Sequence, residues 1–399
     1  NEPVANAEST TMATTDETGD VIEEGNDRAV VLRNVRKTFG GGSIVACENI
    51  DLDIQPDEFV VLLGPSGCGK TTTLRMIAGL ESVTSGEIYY DEEPVTDLSP
   101  QERDIAMVFQ DVALFPHMTN YENIGYGLKV RGQTDDYDDR IREAAELLEI
   151  EDLLEKKPAQ LSGGQRQRVG LGRAIVRDPN VILMDEPMSD LDAKLKASLR
   201  VEVQRLHQEI DTTIVYVTHD QEEAMTMSDR IAVMNDGRFA QTGSPDDIFN
   251  APRNETVARF MGQPEINILD GDLSADGKFT VRESSVVLDV GREVSEAVES
   301  LPTGHVRFGF RPRNATITAD TDNCLFTATV DVYEPTGAMY NVYLTDAAGN
   351  ELVVVTESIS SIHEGQTLGI EEVTSAYLFD AETGDRIQQF DMVQSTPTP

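Results

Sequence analysis

The chain has 399 residues and a formal charge of −40, from 72 Asp+Glu against 32 Lys+Arg, with 39% hydrophobic residues. That length implies two or three domains, each able to bury a core. The acid excess runs throughout, with 23 acids against 7 bases in residues 261–399 alone, and excludes a free-standing nucleic-acid binder or a polybasic membrane anchor, both of which need basic patches.

Residues 1–28 are polar and acidic, the composition of a disordered tail, and lack the apolar run of a secretory leader. The sequence opens at Asn1, so the natural start is expected upstream or at Met12. From Ala29, AVVLRNVRKTF alternates as a strand does. VACENIDLDI (45–54) reads as its hairpin partner across the Gly40–Gly42 turn. EFVVLLG (58–64) is continuously apolar, as a buried strand is, and KTTTLRMIAGL after it is helical.

Between them lies Gly64-Pro65-Ser66-Gly67-Cys68-Gly69-Lys70-Thr71, a full match to G-x-x-x-x-G-K-[ST] with the required strand before and helix after. Glycines let backbone amides turn inward around phosphate, and the following helix points its positive end at the same charge. Lys70 is expected to reach the β- and γ-phosphates and Thr71 to bind Mg²⁺. A glycine turn that fits by chance is the bland alternative, and the flanks argue against it.

RIREAAELLEI begins a helical region running from about 138 to 177. NVILMDEP (180–187) reads as a second buried strand, LDAKLKASLRVEVQRLHQEI (191–210) as a long helix and TTIVYVTHD (212–220) as a further strand. Strands alternating with helices predict an α/β core with a largely parallel sheet. After Gly262, short β-rich segments (VRFGFRP, TATVDVYEP, YNVYLTD, ELVVVTE, QTLGIEE) between turns predict a small all-β barrel or sandwich, with the boundary near 261–264.

Leu161-Ser162-Gly163-Gly164-Gln165, about 90 residues after the phosphate loop, resembles the signature peptide of ATP-binding cassette (ABC) ATPases. Across residues 29–380 the chain resembles the ATP-hydrolysing subunit of an ABC importer. After the acidic tail at 1–28, the resemblance implies an ATPase cassette at 29–261 with a helical subdomain at about 111–177, and an oligonucleotide-binding-like β regulatory domain at 262–399. It implies ATP and Mg²⁺ as cofactors. Asp185, ending VILMD, matches the aspartate that holds the Mg²⁺ hydration shell, and Glu186 the general base. Gln110, ending AMVFQ, matches a glutamine that touches Mg²⁺ and water; His219 matches a histidine contacting γ-phosphate. Phe39 stands where relatives stack an aromatic on adenine, although an aromatic at a strand end is more often core. Thr72 belongs to the phosphate site, and Asp192 to a loop, Met188-Ser189-Asp190-Leu191-Asp192, that lies at the dimer interface in relatives.

One chain carries one set of motifs, and in this family Ser162, Gly163, Gly164 and Gln165 close on nucleotide held by a second cassette. A homodimer or paired cassette is therefore implied, with two membrane permeases and an extracytoplasmic solute-binding protein, at the cytoplasmic face of the membrane. Residues 111–128, with Phe115, Pro116 and Met118, match the region that receives the permease. ARFMGQPEINIL (258–269), VRFGFRPRNATI (306–317) and DVYEPTGAMYNVYL (331–344) resemble importers of the maltose type. A sugar or polyol is the expected solute; polyamine, iron and glycerol phosphate are alternatives, and a non-transport ABC ATPase a distant one. Arg307, Arg311 and Arg313 are expected to form internal ion pairs.

The charge has a separate implication. Self-repulsion at −40 destabilises a compact state unless salt screens it, which predicts a cytosolic protein of a high-salt, archaeal-type cell. Cys47, Cys68 and Cys324, without C-x-x-C spacing, predict reduced thiols.

Overall fold

The computed structural model describes residues 14–15, 21–22, 29–133, 135–292, 294, 304–359 and 362–391. The expected tail at 1–28 lies outside these, apart from a two-residue pairing of Thr14–Thr15 with Val21–Ile22. Two compact units are present: residues 1–219 with 236–238, and residues 220–235 with 239–399. Among the described residues no helix is long and apolar enough to cross a membrane.

In the first unit, strands β1 (Val30–Phe39) and β2 (Ile44–Ile54) form the expected antiparallel pair, and β4 (Ser85–Tyr90) lies on the other side of β1. Gly86 on β4 has φ +89°, and a Cβ there would stand 2.3 Å from the Asn34 carbonyl oxygen. Gly86→Ala is expected to destabilise by about 2–5 kcal/mol, combining overpacking with left-handed strain. An unchanged melting temperature would contradict that close approach.

Four parallel strands form the centre: β3 (Phe59–Leu63), β5 (Ile105–Val108), β6 (Val181–Asp185) and β7 (Thr213–Thr218). Every residue of β3, β6 and β7 is buried, which is why they read as continuous apolar runs. Their order is β3-β7-β6-β5, so β7 sits between two strands that precede it in the chain. Register aligns the ends: Thr218 pairs with Leu63, Val217 with Asp185, and Val108 with Met184. The segments leaving the carboxyl ends of the strands (Gly64 onward, Phe109–Gln110, Glu186 and His219) therefore emerge at one edge, where open α/β sheets bind ligands.

Helices α1 (Lys70–Ile77), α2 (Asn120–Arg131), α3 (Tyr137–Leu147), α4 (Gly163–Ile175) and α5 (Ala193–Glu209) complete the unit. The first nine residues of helix α2, Asn120 to Leu128, lie in the stretch expected to receive a permease. Phe115 just before it is half-buried, with its ring 4.6 Å from that of Tyr126.

The second unit contains the all-β region. A six-stranded antiparallel sheet comprises β8 (Asn267–Leu273), β9 (Lys278–Val281), β10 (Val287–Asp289), β11 (His305–Phe310), β17 (Ala376–Asp380) and β18 (Arg386–Phe390). The five-stranded sheet comprises β12 (Ala315–Thr318), β13 (Phe326–Thr336), β14 (Met339–Asp346), β15 (Glu351–Thr356) and β16 (Thr367–Val373). Inward residues of both sheets, including Phe279, Phe308, Val330, Leu344 and Ile370, share one core. Alternation along β8 and β14 fixes which face is buried.

The three arginines depart in part from expectation. Arg307 does pair with carboxylates, 2.7 Å from Glu255 and 3.5 Å from Asp270. Arg311, only 5% exposed, donates instead to the carbonyls of Phe249, Ala258 and Met261, and its guanidinium sits 4.5 Å from the centre of the Phe249 ring. These carbonyls lie at or just past the ends of helices Pro245–Asn250 and Glu255–Phe260, where orphan oxygens favour a cation. Arg313 makes no ion pair among the described residues.

Candidate functional site

The loop between β3 and α1 wraps around its lysine. Lys70 is 4% exposed, and its Nζ donates to the carbonyl oxygens of Gly64 at 2.7 Å and Pro65 at 2.9 Å. An ammonium has three donors, so one remains. Gly69 opens α1 at φ +111° and Gly67 stands at +82°, conformations that L side chains rarely adopt. Pro65, Ser66 and Gly67 form an exposed crown, while Cys68 is buried, which pushes its thiol pKa up. Thr72 is half-buried in the first turn of α1.

Thr71 Oγ1 donates to Asp185 Oδ1 at 2.9 Å, joining α1 to the end of β6. Asp185 is 7% exposed, and burial raises its carboxyl pKa while the Thr71 hydroxyl opposes that rise. A desolvated carboxylate beside a hydroxyl is an all-oxygen donor set that a hard divalent cation suits. Among the described residues no group of three or more His, Cys, Asp or Glu is placed to hold a metal. Protein atoms there supply part of a coordination shell, which fits an ion that keeps waters and takes phosphate oxygens.

Glu186 follows at φ +45°, left-handed for a residue with a side chain. Such a conformation costs of order 1–3 kcal/mol and persists where surrounding contacts hold it. Here the Glu186 amide donates to the Val217 carbonyl at 3.0 Å, crossing from the end of β6 to β7. That cross-link brings its carboxylate to His219, with Oε2 3.0 Å from Nδ1. Gln110 is exposed two residues beyond β5. Phe39 ends β1 at 38% exposure with Lys37 Nζ 5.0 Å from its ring centre, so it is not a core residue.

Ser162–Gln165 occupies the start of α4 as a capping box: Gln165 N donates to Ser162 Oγ at 3.3 Å and Ser162 N to Gln165 Oε1 at 3.0 Å. The amides of Gly163 and Gly164 are first-turn donors without intrahelical acceptors. A Cβ on Gly164 would stand 2.6 Å from Leu195 Cδ1, so this glycine also admits α5. Asp192 caps that helix, accepting from Leu195 N at 3.0 Å. Thr71 and Asp185 thus form one hydrogen-bonded pair and Glu186 and His219 another, while Lys70 is held by the loop carbonyls of Gly64 and Pro65. Ser162–Gln165 and Asp192 are joined through packing against α5, and no hydrogen bond among the described residues links them to the phosphate loop. Sequence reasoning missed the Glu186–Val217 cross-link; the only local signal is Pro187, which disfavours right-handed helix at the residue before it.

A parallel sheet with a lysine-wrapping glycine loop at its carboxyl edge defines a nucleotide-hydrolysing cassette. The ABC transporter family matches residues 47–189. The chain is 46% identical, over 90% of its length and 95% of the relative's, to the xylose/arabinose import ATP-binding protein XacK of Haloferax volcanii. It is 44% identical, over 90% and 96%, to the sn-glycerol-3-phosphate import ATP-binding protein UgpC 1 of Rhizobium johnstonii. Among solved structures, CbiO1 of Clostridium perfringens, part of an ABC transporter complex, aligns with TM-score 0.53 and 28% identity over 57% of this chain and 92% of that one. The chain belongs to the ATP-binding subunits of ABC importers: it binds ATP and is an ATPase.

Proposed function

We propose that this ATPase works as a pair of chains around two ATP and drives uptake of a sugar through separate membrane permeases, fed by an extracytoplasmic binding protein. It acts as a peripheral subunit at the cytoplasmic face. Residues 29–261 form the cassette and 262–399 the regulatory domain, after an acidic tail at 1–28. The observation that carries the catalytic reading is the pairing of Glu186 with His219 at 3.0 Å, beside Thr71 and Asp185 at 2.9 Å.

In this reading Gly64 to Thr72 cradle the phosphates, with the free proton of Lys70 on the β- and γ-phosphate oxygens. Thr71, Asp185 and Gln110 would hold Mg²⁺, which would neutralise phosphate charge. Glu186 orients the attacking water and takes its proton; His219 holds Glu186 in place and contacts γ-phosphate. Phe39 stacks on adenine. Ser162, Gly163, Gly164 and Gln165 close on the partner copy's nucleotide, their helix amides facing its charge, with Asp192 at the interface.

Lys70→Ala is expected to weaken ATP binding about 10–100-fold, the equivalent of one charge-assisted hydrogen bond of roughly 1.5–3 kcal/mol. Calorimetric titration reads it, and unchanged affinity would remove Lys70 from the phosphate site.

Support for a sugar comes from the pentose importer protein of Haloferax volcanii and from the maltose-type segments; the glycerol-phosphate relative supports the leading alternative. Polyamine and iron stand behind these. A strain lacking this chain is expected to lose uptake of a labelled sugar, and loss of glycerol 3-phosphate uptake alone would move the assignment. The charge of −40 and the Haloferax volcanii relative support a halophilic, archaeal source.

A further inference from the structure

The second unit carries a cavity of about 420 Å³ that ATP hydrolysis does not use. This is within the range of small-molecule sites, roughly 300–1,000 Å³. Its walls come from four separate stretches of chain. Gln263 and Pro264 follow helix Glu255–Phe260, Arg313 lies on the turn Pro312–Asn314, Met339, Asn341 and Tyr343 lie on β14, and Val355 on β15.

The site is built before any ligand arrives. β14 is paired on both sides, with Asn341 opposite Glu334 on β13 and Val355 on β15. The Arg313 turn follows buried Arg311, whose three carbonyl contacts pin it from beneath. Fixed walls reduce the ordering cost of binding.

Charge selects the ligand. Residues 261–399 hold 23 acids and 7 bases, and Lys278, Arg282 and Arg307 each pair with a carboxylate. Arg313, exposed at the cavity, has no carboxylate partner among the described residues. A guanidinium fork suits a carboxylate or phosphate group. Gln263 offers an amide that donates and accepts, as hydroxyl groups require, and Asn341 lies beside the Tyr343 hydroxyl, which donates to Glu334 at 3.0 Å. Pro264, Met339 and Val355 supply an apolar patch for the C–H face of a ring.

We propose that this cavity is a regulatory binding site for a small hydroxylated anion, a sugar phosphate or sugar acid, held through its charged group by Arg313. Binding stands apart from the transport assignment; only the regulatory role rests on it.

The test is calorimetric titration of the full chain, in the KCl concentration at which it is most stable. A non-hydrolysable ATP analogue occupies the nucleotide site throughout. The probes are glucose 6-phosphate, gluconate, glucose and inorganic phosphate. At least one anionic sugar is expected to bind, with glucose and inorganic phosphate each about tenfold or more weaker; the better of the two identifies phosphate or carboxylate as the preferred group. Arg313→Gln is expected to lower that affinity about 10–100-fold, with an unchanged melting temperature because Arg313 makes no ion pair among the described residues. Absence of binding by both anionic sugars, equal binding by glucose or inorganic phosphate, or full affinity in Arg313→Gln would overturn the proposal. ATPase activity measured without these probes tests the catalytic reading separately.

Discussion

ATP turnover by Glu186→Gln is expected to fall about 10²–10⁴-fold, the usual size of a general-base contribution, with nucleotide affinity preserved. The carboxamide keeps the shape of glutamate and its hydrogen bond to His219, but it cannot take a proton from water. The left-handed backbone at Glu186 and its amide bond to Val217 do not involve the side chain, so the variant retains the fold. With hydrolysis blocked, ATP-bound chains are expected to accumulate as dimers. Phosphate release, nucleotide titration and light scattering read the three effects. Turnover near the wild-type rate would remove Glu186 as base; slow turnover with a monomeric ATP-bound chain would remove the paired arrangement.

Thermal stability is expected to rise steeply between 0.1 M and 3 M KCl. If every one of the 32 basic residues paired with an acid, 72 − 32 = 40 acidic residues would still lack a partner. Their repulsion extends over a Debye length of about 10 Å at 0.1 M salt and about 3 Å at 1 M. A rise in Tm of about 10 °C or more, equivalent to roughly 3–5 kcal/mol in domains of this size, is the expected result. A flat profile would make the acidity a matter of solubility at ordinary salt and end the halophilic reading.

The core strands were legible because Phe59–Leu63, Val181–Asp185 and Thr213–Thr218 are buried on both faces and so carry uninterrupted apolar runs. The phosphate loop was legible because its glycines and lysine are dictated locally. Strand order was not: β7 lies beside β3 about 150 residues away, and nothing in either segment encodes its neighbour. Helix α2 falls in the helical subdomain implied by resemblance, but its residue pattern, unlike that from 138 onward, does not show a helix. Its buried face includes Asn120 and Asn123, which bond the carbonyls of Leu153, Phe115 and Thr119, so the apolar stripe is broken. Arg311 shows a similar limit, since sequence pairs an arginine with a carboxylate while folding here supplies helix-end carbonyls.

At the candidate site, each residue type was readable and its partner was not. Glu186 and His219 are 33 positions apart and meet because adjacent strands end in register. Gly163 and Gly164 read as bare amides, while their closeness to Leu191 and Leu195 appears only in three dimensions.

Import ATPases of this family work with membrane permeases. Affinity capture with Glu186→Gln and ATP, from gently solubilised membranes in molar KCl, tests that partnership most directly. Recovery of two multispanning permeases and a sugar-type binding protein is the predicted result. Recovery of soluble proteins alone would contradict it.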